Sequence, residues 1–215
     1  WSIGAAVRLS DLEAVIEEGL PPLARMLRFF GSRQIKNRAT LGGNICNASP
    51  IGDTPPVLLA LGATVIARSR EGSRSIPIDD FFVGYRQTAL LPGEVVARIE
   101  VPEIPGDARA GAYKVSRRRE LDISAVAAGL LVRLDAEGVV TEARFGYGGM
   151  AATPARAAGA EAAVIGIAHP QWVERPLACV VVEDGQSLTL DELREFLTDR
   201  VAKWWLPDAL ELVDE

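Results

Sequence analysis

A long segment without a hydrophobic period, residues 31–56, most restricts how this chain can fold. The segment is rich in glycine, asparagine, serine and proline, and its apolar residues follow neither the helical nor the strand spacing. It comes directly after an amphipathic, helix-like pattern over residues 21–30. The sequence therefore predicts a long irregular loop here, and long ordered loops tend to carry function.

The remaining patterns predict an α+β fold with antiparallel sheet. A short apolar helix is expected over residues 56–61, where Gly62 would end it. Two strand-like runs flank the turn Asp135-Ala136-Glu137-Gly138 and predict a hairpin. An alanine-rich helix is expected to begin near Pro154, and the tail predicts a compact β-α-β unit whose helix starts at Thr189. Further strands are expected at Thr64–Arg68, Ser75–Ile78, Val95–Val101 and Ala112–Ser116.

Composition and charge argue against several classes of function. The formal net charge of −6 disfavours nucleic acid and anionic membranes as partners, and no apolar run reaches the ~18 residues of a membrane span. Cys46 and Cys179 lie far apart, so we expect no disulfide framework, no metal site and a cytoplasmic protein. His169 is the single histidine, and no Gly-x-Ser-x-Gly elbow accompanies it, so a serine hydrolase is not expected.

The polar residues of segment 31–56 suit a nucleotide cofactor. In Thr40-Leu41-Gly42-Gly43-Asn44, the adjacent glycines are expected to let the backbone approach a ligand and to expose N–H groups. Thr40, Asn44 and Ser49 add short hydrogen-bonding side chains, and Asp53 is a potential acceptor for ribose hydroxyls. On these residues alone, a glycine-rich turn without a ligand is the alternative.

The order of residues in several segments resembles the FAD-binding domain of the molybdenum hydroxylases. One of them contains Gln34-Ile35-Lys36-Asn37-Arg38-Ala39-Thr40-Leu41-Gly42-Gly43-Asn44, and the likeness is strongest to the small subunit of bacterial xanthine dehydrogenases. The resemblance implies a domain that holds FAD. Electrons would arrive from a molybdenum centre through iron–sulfur clusters, both in partner domains or subunits, and would leave to NAD. The resembling segments are 30–44, 48–56, 80–86, 114–119, 122–124 and 146–150.

The same resemblance assigns residues to the cofactor and none to catalysis. Phe30 would pack near the isoalloxazine ring, and Lys114 would lie near the flavin, where a cation stabilises the anionic reduced ring. Tyr85, Arg118 and Asp122 would lie toward the NAD side. A solvated lysine on a strand is the alternative for Lys114. The residues expected to bind FAD are Phe30, Thr40, Gly42, Gly43, Asn44, Ser49, Asp53, Val96 and Lys114.

The sequence departs from the resembling family at its beginning. The family has a further N-terminal subdomain whose glycine-rich loop holds much of the FAD pyrophosphate. Residues 1–6 resemble the family only from a point after that loop, and no Gly-x-Gly-x-x-Gly follows a strand here. We therefore expect weak or partial FAD binding unless another chain supplies the missing half.

The tail resembles a different family, the C-terminal lid domain of acyl-CoA synthetases. Segments 162–178, 193–197 and 201–208 carry this likeness, but the lid's Gly-Lys segment, whose lysine contacts the adenylate, does not appear. The chain is thus expected to be a chimera of two family fragments joined near residues 161–166. An inert fragment without a cofactor and a lid-type module are the alternatives to an FAD-binding electron-transfer component. The expected domains are part of an FAD-binding domain (1–105), a partial flavoprotein α+β domain (106–160) and a β-α-β unit (161–215).

Overall fold

The computed structural model describes residues 1–118, 121–157, 164–168, 174–180, 188–198, 207 and 209–212 of the chain. Contacts separate two compact units, Trp1–Ala157 and Ala158–Glu215. Each unit combines helices with β-strands, so the α+β class predicted from the sequence is confirmed.

The first unit contains helices at Leu9–Glu13 (α1), Pro21–Arg28 (α2), Arg33–Lys36 (α3), Leu41–Cys46 (α4), Thr54–Ala60 (α5) and Ile78–Phe81 (α6). Proline stands in the first turn of α2 and α5, where its missing N–H costs no hydrogen bond. The side chains of Ser32 and Thr40 each accept an N–H three residues further on and so start α3 and α4. The expectation of one long irregular loop over residues 31–56 is therefore wrong, because caps and prolines start three short helices there.

The strands of the first unit are Ser2–Gly4 (β1), Thr64–Arg68 (β2), Ser73–Pro77 (β3), Phe82–Gly84 (β4), Gln87–Thr88 (β5), Val95–Glu100 (β6), Ala108–Val115 (β7), Val126–Leu134 (β8), Val140–Gly148 (β9) and Ala155–Arg156 (β10). They form antiparallel sheets ordered β1-β6-β2-β3 and β10-β9-β8-β7, and a small β4–β5 pair. The predicted hairpin is confirmed as β8–β9, with Gly138 at φ 85° in its turn.

The alanine-rich helix predicted to begin near Pro154 is wrong for the first residues of that segment. Ala155 and Arg156 pair with Tyr147 and Gly146 as strand β10. Pairing with an existing sheet edge outweighs the local helix preference of alanine, which is a weak effect. Residues 158–163, where the rest of the helix was expected, lie outside the described residues.

Helix α5 lies against the second sheet, and all of its residues are buried. It contacts both β8 and β9. Gly129 on β8 and Gly146 on β9 make this possible, because a Cβ on either glycine would overlap the carbonyl oxygen of Pro56. The backbone of the helix therefore approaches the sheet more closely than a side chain at either position would permit.

An ion pair near the first sheet predicts how the stability of the fold depends on pH. The Glu94 carboxylate accepts hydrogen bonds from Arg74 Nε at 2.7 Å and from the Leu91 N–H at 2.7 Å. These bonds, with that of Arg74 first, lower the pKa of Glu94 from 4.5 to about 2. The stabilisation is thus present above pH 4.5 and is lost as the pH falls toward 2. Glu94→Gln should lower the melting temperature at pH 6, and the difference from wild type should shrink by pH 3.

The control for this prediction removes an exposed glutamate from the β8–β9 turn, Glu137→Gln. It should leave the melting temperature close to that of wild type at pH 6. A deficit of Glu94→Gln that stays the same between pH 6 and pH 3 would contradict the assignment of the stabilisation to the ionised carboxylate.

The second unit has its described elements at Val164–Ala168 (β11), Glu174–Val180 (β12), Leu190–Thr198 (α7) and Ala209–Leu212 (β13). Strand β12 pairs antiparallel with β11 and parallel with β13, so β12, α7 and β13 form the predicted β-α-β unit. Thr189 and Glu192 form the predicted capping box, in which each side chain accepts the backbone N–H of the other residue. His169 lies outside the described residues. Among the described helices, none combines the length and the apolar character needed to cross a membrane.

Candidate functional site

Helix α4 carries the paired glycines and begins after Thr40. The Thr40 hydroxyl accepts the N–H of Gly43 at 3.0 Å. The N–H of Gly42 donates to Ala5 O at 3.1 Å, and a Cβ on Gly42 would lie 2.6 Å from the Ala5 Cβ. The expectation that both glycines expose N–H groups to a ligand is therefore wrong, because capping and internal packing use both groups. Gly43 itself is exposed, whereas Gly42 is buried.

A tight turn joins α4 to α5. Ala48 is fully buried and has φ 44°, a left-handed conformation that is rare for a residue with a side chain. The Ser49 hydroxyl accepts the Ile51 N–H at 3.4 Å. The Thr54 hydroxyl donates to Asn44 Oδ1 at 2.5 Å and links the two helices. The NH₂ group of Asn44 has no hydrogen-bond partner among the described residues, so it is available to a ligand.

Asp53 and Lys114 form a buried ion pair at the start of α5. Asp53 Oδ2 lies 2.8 Å from Lys114 Nζ, and the side chains of Asp53 and Lys114 are 11% and 5% exposed. Asp53 Oδ1 accepts the Ser124 hydroxyl at 2.5 Å, and Lys114 Nζ also donates to Phe29 O at 3.3 Å. Asp53 stands at the N-terminus of α5 but makes no capping bond. Its partners are Lys114 on β7 and Ser124, which lies two residues before β8. We call Asp53, Lys114 and Ser124 the Asp53 cluster.

An open cleft of about 300 Å³ borders the Asp53 cluster. Lys114 on β7 forms part of its wall. Ser116 and Arg118, which follow β7 in the chain, form another part. The volume is at the lower end of the ~300–1,000 Å³ range of small-molecule sites. The cleft can therefore hold part of a dinucleotide, and its wall carries positive charge. Its lining residues are Phe29, Lys114, Val115, Ser116 and Arg118.

The residues expected on the NAD side fall into two separate groups. Asp122 accepts the Arg118 N–H at 2.7 Å, and this bond is the largest cause that lowers the pKa of Asp122. Tyr85 is exposed in the β4–β5 turn, where the Arg86 guanidinium lies 5.9 Å from its ring centroid. No hydrogen bond, ion pair or ring contact in the described part of the chain joins Tyr85 to Arg118 or Asp122.

The other residues expected to bind FAD are half-buried or make hydrogen bonds to nearby backbone groups. Phe30 follows α2, and Val96 lies on β6; both pack against the hydrophobic core with part of the side chain exposed. Besides the local Thr40–Gly43 and Arg118–Asp122 bonds, a hydrogen bond connects Asp53 to Lys114. Asn44 is linked to Thr54, the residue after Asp53. In the described residues, no group of three or more His, Cys, Asp or Glu side chains is arranged to hold a metal ion.

Two protein-family models match successive parts of the chain. Residues 1–104 match the FAD binding domain in molybdopterin dehydrogenase, and residues 111–173 match the CO dehydrogenase flavoprotein C-terminal domain. This part of the chain belongs to the flavoprotein family of the molybdopterin dehydrogenases. Residues 155–215 match the AMP-binding enzyme C-terminal domain, which overlaps the preceding match over residues 155–173.

Individual relatives of this flavoprotein chain include proteins from fungi and archaea. Nicotinate hydroxylase hnxS of Emericella nidulans is 41% identical over 169 residues, which are 70% of this chain and 12% of that protein. The glyceraldehyde dehydrogenase medium chain of Sulfolobus acidocaldarius is 37% identical over 77% of this chain and 58% of its own length. A carbon monoxide dehydrogenase structure from Hydrogenophaga pseudoflava has a TM-score of 0.72 and 26% identity, covering 90% of this chain and 61% of that one. The chain thus spans only part of each relative.

Several residues that build the candidate site were not among those expected from the sequence. Ser124 and Thr54 are buried and donate hydrogen bonds to Asp53 and Asn44. Phe29 accepts a hydrogen bond from Lys114 through its carbonyl oxygen and also lines the cleft. Gly129 and Gly146 position α5. Glycine within an apolar strand is a sequence signal for close backbone approach, and it marks both positions. No comparable signal identifies Ser124.

Proposed function

We propose that this chain is an FAD-binding electron-transfer component, weak or partial in its hold on the cofactor, of a xanthine-dehydrogenase-type oxidoreductase. Electrons would come from iron–sulfur and molybdopterin partners and pass to NAD, in the cytoplasm. The observation that carries the proposal is the buried ammonium group of Lys114 in the wall of the cleft. The family resemblance assigns this lysine the role of a cation beside the flavin.

The residues of the Asp53 cluster fit such a cofactor. FAD, when bound, would supply a redox centre that exchanges electrons singly or in pairs. The ammonium group of Lys114 has three N–H donors, of which Asp53 and Phe29 O take two, so one is available to a ligand in the cleft. Its positive charge favours a reduced, anionic ring, and the carboxylate of Asp53 keeps that charge partly balanced. The NH₂ donors of the half-buried Asn44 suit a neutral polar contact to the nucleotide.

Two features support the weak or partial character of the proposed binding. The N–H groups of Gly42 and Gly43 already have internal acceptors, so the paired glycines add no amide donors for a phosphate. The cleft is also small for a whole dinucleotide. We infer that Asn44, Lys114 and the cleft contact only part of the FAD.

Flavin binding is testable with the full chain. Binding to the purified protein should quench the fluorescence of added FAD and should raise the melting temperature of the protein. Asn44→Ala or Asp53→Ala should weaken binding about tenfold, since each removes one hydrogen-bonding group or the partner of Lys114. The matched control Asn37→Ala removes an exposed asparagine at the end of α3 and should bind like wild type. The absence of any flavin-induced change in wild type would refute the proposal and favour the inert fragment.

A second candidate concerns the tail. The match of residues 155–215 to the AMP-binding enzyme C-terminal domain favours a lid-type module joined to a flavoprotein fragment, with the junction near residues 161–166. Such a module should restore adenylation when added to an adenylating domain that lacks its lid. No gain of product over the lidless domain alone would eliminate this candidate.

A further inference from the structure

We propose that Ser124 is a positioning residue that orients Asp53, so that Lys114 presents one N–H to the cleft. This inference rests on the proposed function and extends it to a residue outside the expected cofactor set. Ser124 is not among the residues that line the cleft, and its hydroxyl donates to Asp53. It would therefore set how strongly the site favours one redox state of the flavin.

The geometry gives each oxygen of Asp53 a single side-chain donor. Oδ1 accepts the Ser124 hydroxyl at 2.5 Å, and Oδ2 accepts Lys114 Nζ at 2.8 Å. Ser124 is 2% exposed, so water cannot readily take the place of its hydroxyl. A short hydrogen bond to a carboxylate is among the stronger hydrogen bonds of proteins. The hydrogen bond from Ser124 therefore fixes the rotation of the Asp53 carboxylate group about its Cβ–Cγ bond.

The backbone holds Ser124 and Lys114 in a constant relation. The N–H of Ala125 donates to Val115 O at 2.8 Å, so the residue that follows Ser124 is tied to the residue that follows Lys114. From there β7 and β8 pair in register, beginning with Val115 and Val126. Asp53 arrives from a different element, the N-terminus of α5. The Ser124 hydroxyl, held next to the start of β8, thus fixes the position of a carboxylate that belongs to the start of α5.

Removal of the Ser124 hydroxyl would reduce the effective positive charge of the Lys114 ammonium group at the cleft. With Oδ1 unbound, the carboxylate is free to rotate until both oxygens approach the ammonium group. The negative charge on Asp53 would then be less dispersed, and it would neutralise Lys114 more completely. A reduced, anionic flavin would lose more affinity than the oxidised, neutral ring, because only the former depends on the positive charge.

The test compares the affinity of oxidised and reduced FAD for three variants of the full chain. Ser124→Ala should lower the preference for the reduced form by about threefold or more. Ser124→Thr, which keeps a hydroxyl, should retain most of that preference. Ser10→Ala removes another buried serine that donates to an aspartate, at 3.5 Å in α1, and should not alter the ratio. Equal weakening of both forms in Ser124→Ala would mean that Ser124 only supports the fold, and would overturn the inference.

A measurement without flavin separates this inference from the proposed function. The chain has three lysines, so ¹⁵N-lysine labelling gives few Nζ signals to assign, and that of Lys36, paired with Glu13 at 2.6 Å, is an internal reference. The Lys114 signal should be sharp in wild type and Ser124→Thr, and shifted or broadened in Ser124→Ala. If wild type binds no FAD, the proposed function fails while this comparison still decides the role of Ser124. Identical Lys114 signals in wild type and Ser124→Ala would refute it.

Discussion

Lys114→Met is expected to lower the free energy of unfolding by about 3–5 kcal/mol, since it leaves a buried carboxylate without its counter-ion. The Asp53 side chain is 11% exposed, so solvent cannot replace the lost partner without a rearrangement. Methionine matches the length and the apolar stem of lysine, which confines the change to the charge. Urea unfolding of both proteins at neutral pH measures the difference directly.

The control for this substitution is an ion pair at the surface. Arg98 and Glu100 form a pair in which both side chains are more than 40% exposed, so Arg98→Met should cost less than about 1 kcal/mol. A double variant, Asp53→Leu with Lys114→Met, removes both charges and should recover much of the loss, as expected when desolvation opposes a buried pair. A Lys114→Met protein within about 1 kcal/mol of wild type would show that the pair is not buried in solution.

Gly146→Ala is expected to cost about 3 kcal/mol of unfolding free energy, at the upper end for an overpacked core. A Cβ at this position would overlap Pro56 O and would lie 2.9 Å from the Leu59 Cβ. The obstacle is the backbone of α5, which cannot move aside as a flexible side chain would. Replacing glycine by alanine normally stabilises by about 0.4–1 kcal/mol through the unfolded chain, so a large loss identifies the clash as the cause.

The matched control is Gly106→Ala, because a Cβ there would meet no atom within 4 Å. It should shift the unfolding free energy by less than about 1 kcal/mol in either direction. Thermal unfolding of the two variants beside wild type provides the comparison. Equal stability of Gly146→Ala and Gly106→Ala would contradict the close approach of α5 to the sheet.

The parts of the fold that depend on local pattern could be predicted from the sequence. Helix α2 has a complete apolar face, and the β8–β9 hairpin joins two long strand-like runs through a turn that ends in Gly138. Helices α3 and α4 could not be predicted from periodicity, because four and six residues are too few to show it. Strand β10 could not be predicted either, since two residues become a strand only beside an existing partner.

The candidate site likewise has features that could be predicted from the sequence and features that could not. Resemblance to a family indicated Asp53 and Lys114 as separate cofactor residues, and their roles toward FAD stay predictions. Their ion pair joins positions 61 residues apart in the chain, and nothing local in the sequence signals such a pairing. The internal acceptors of the Gly42 and Gly43 N–H groups also depend on tertiary contact and side-chain orientation. Residue identity thus indicated which groups were candidates, and the fold decides which of them meet.

Helix α5 touches β8 and β9 through its own peptide groups at Gly129 and Gly146, and Asp53 stands at its first turn. The distance of that carboxylate from the sheet is consequently set in part by main-chain contacts at these two glycines. Substitutions of the cleft side chains would change its polarity, charge and width but would leave this main-chain approach in place. The scaffold is therefore suited to engineering toward other ring systems, provided that both glycines are kept.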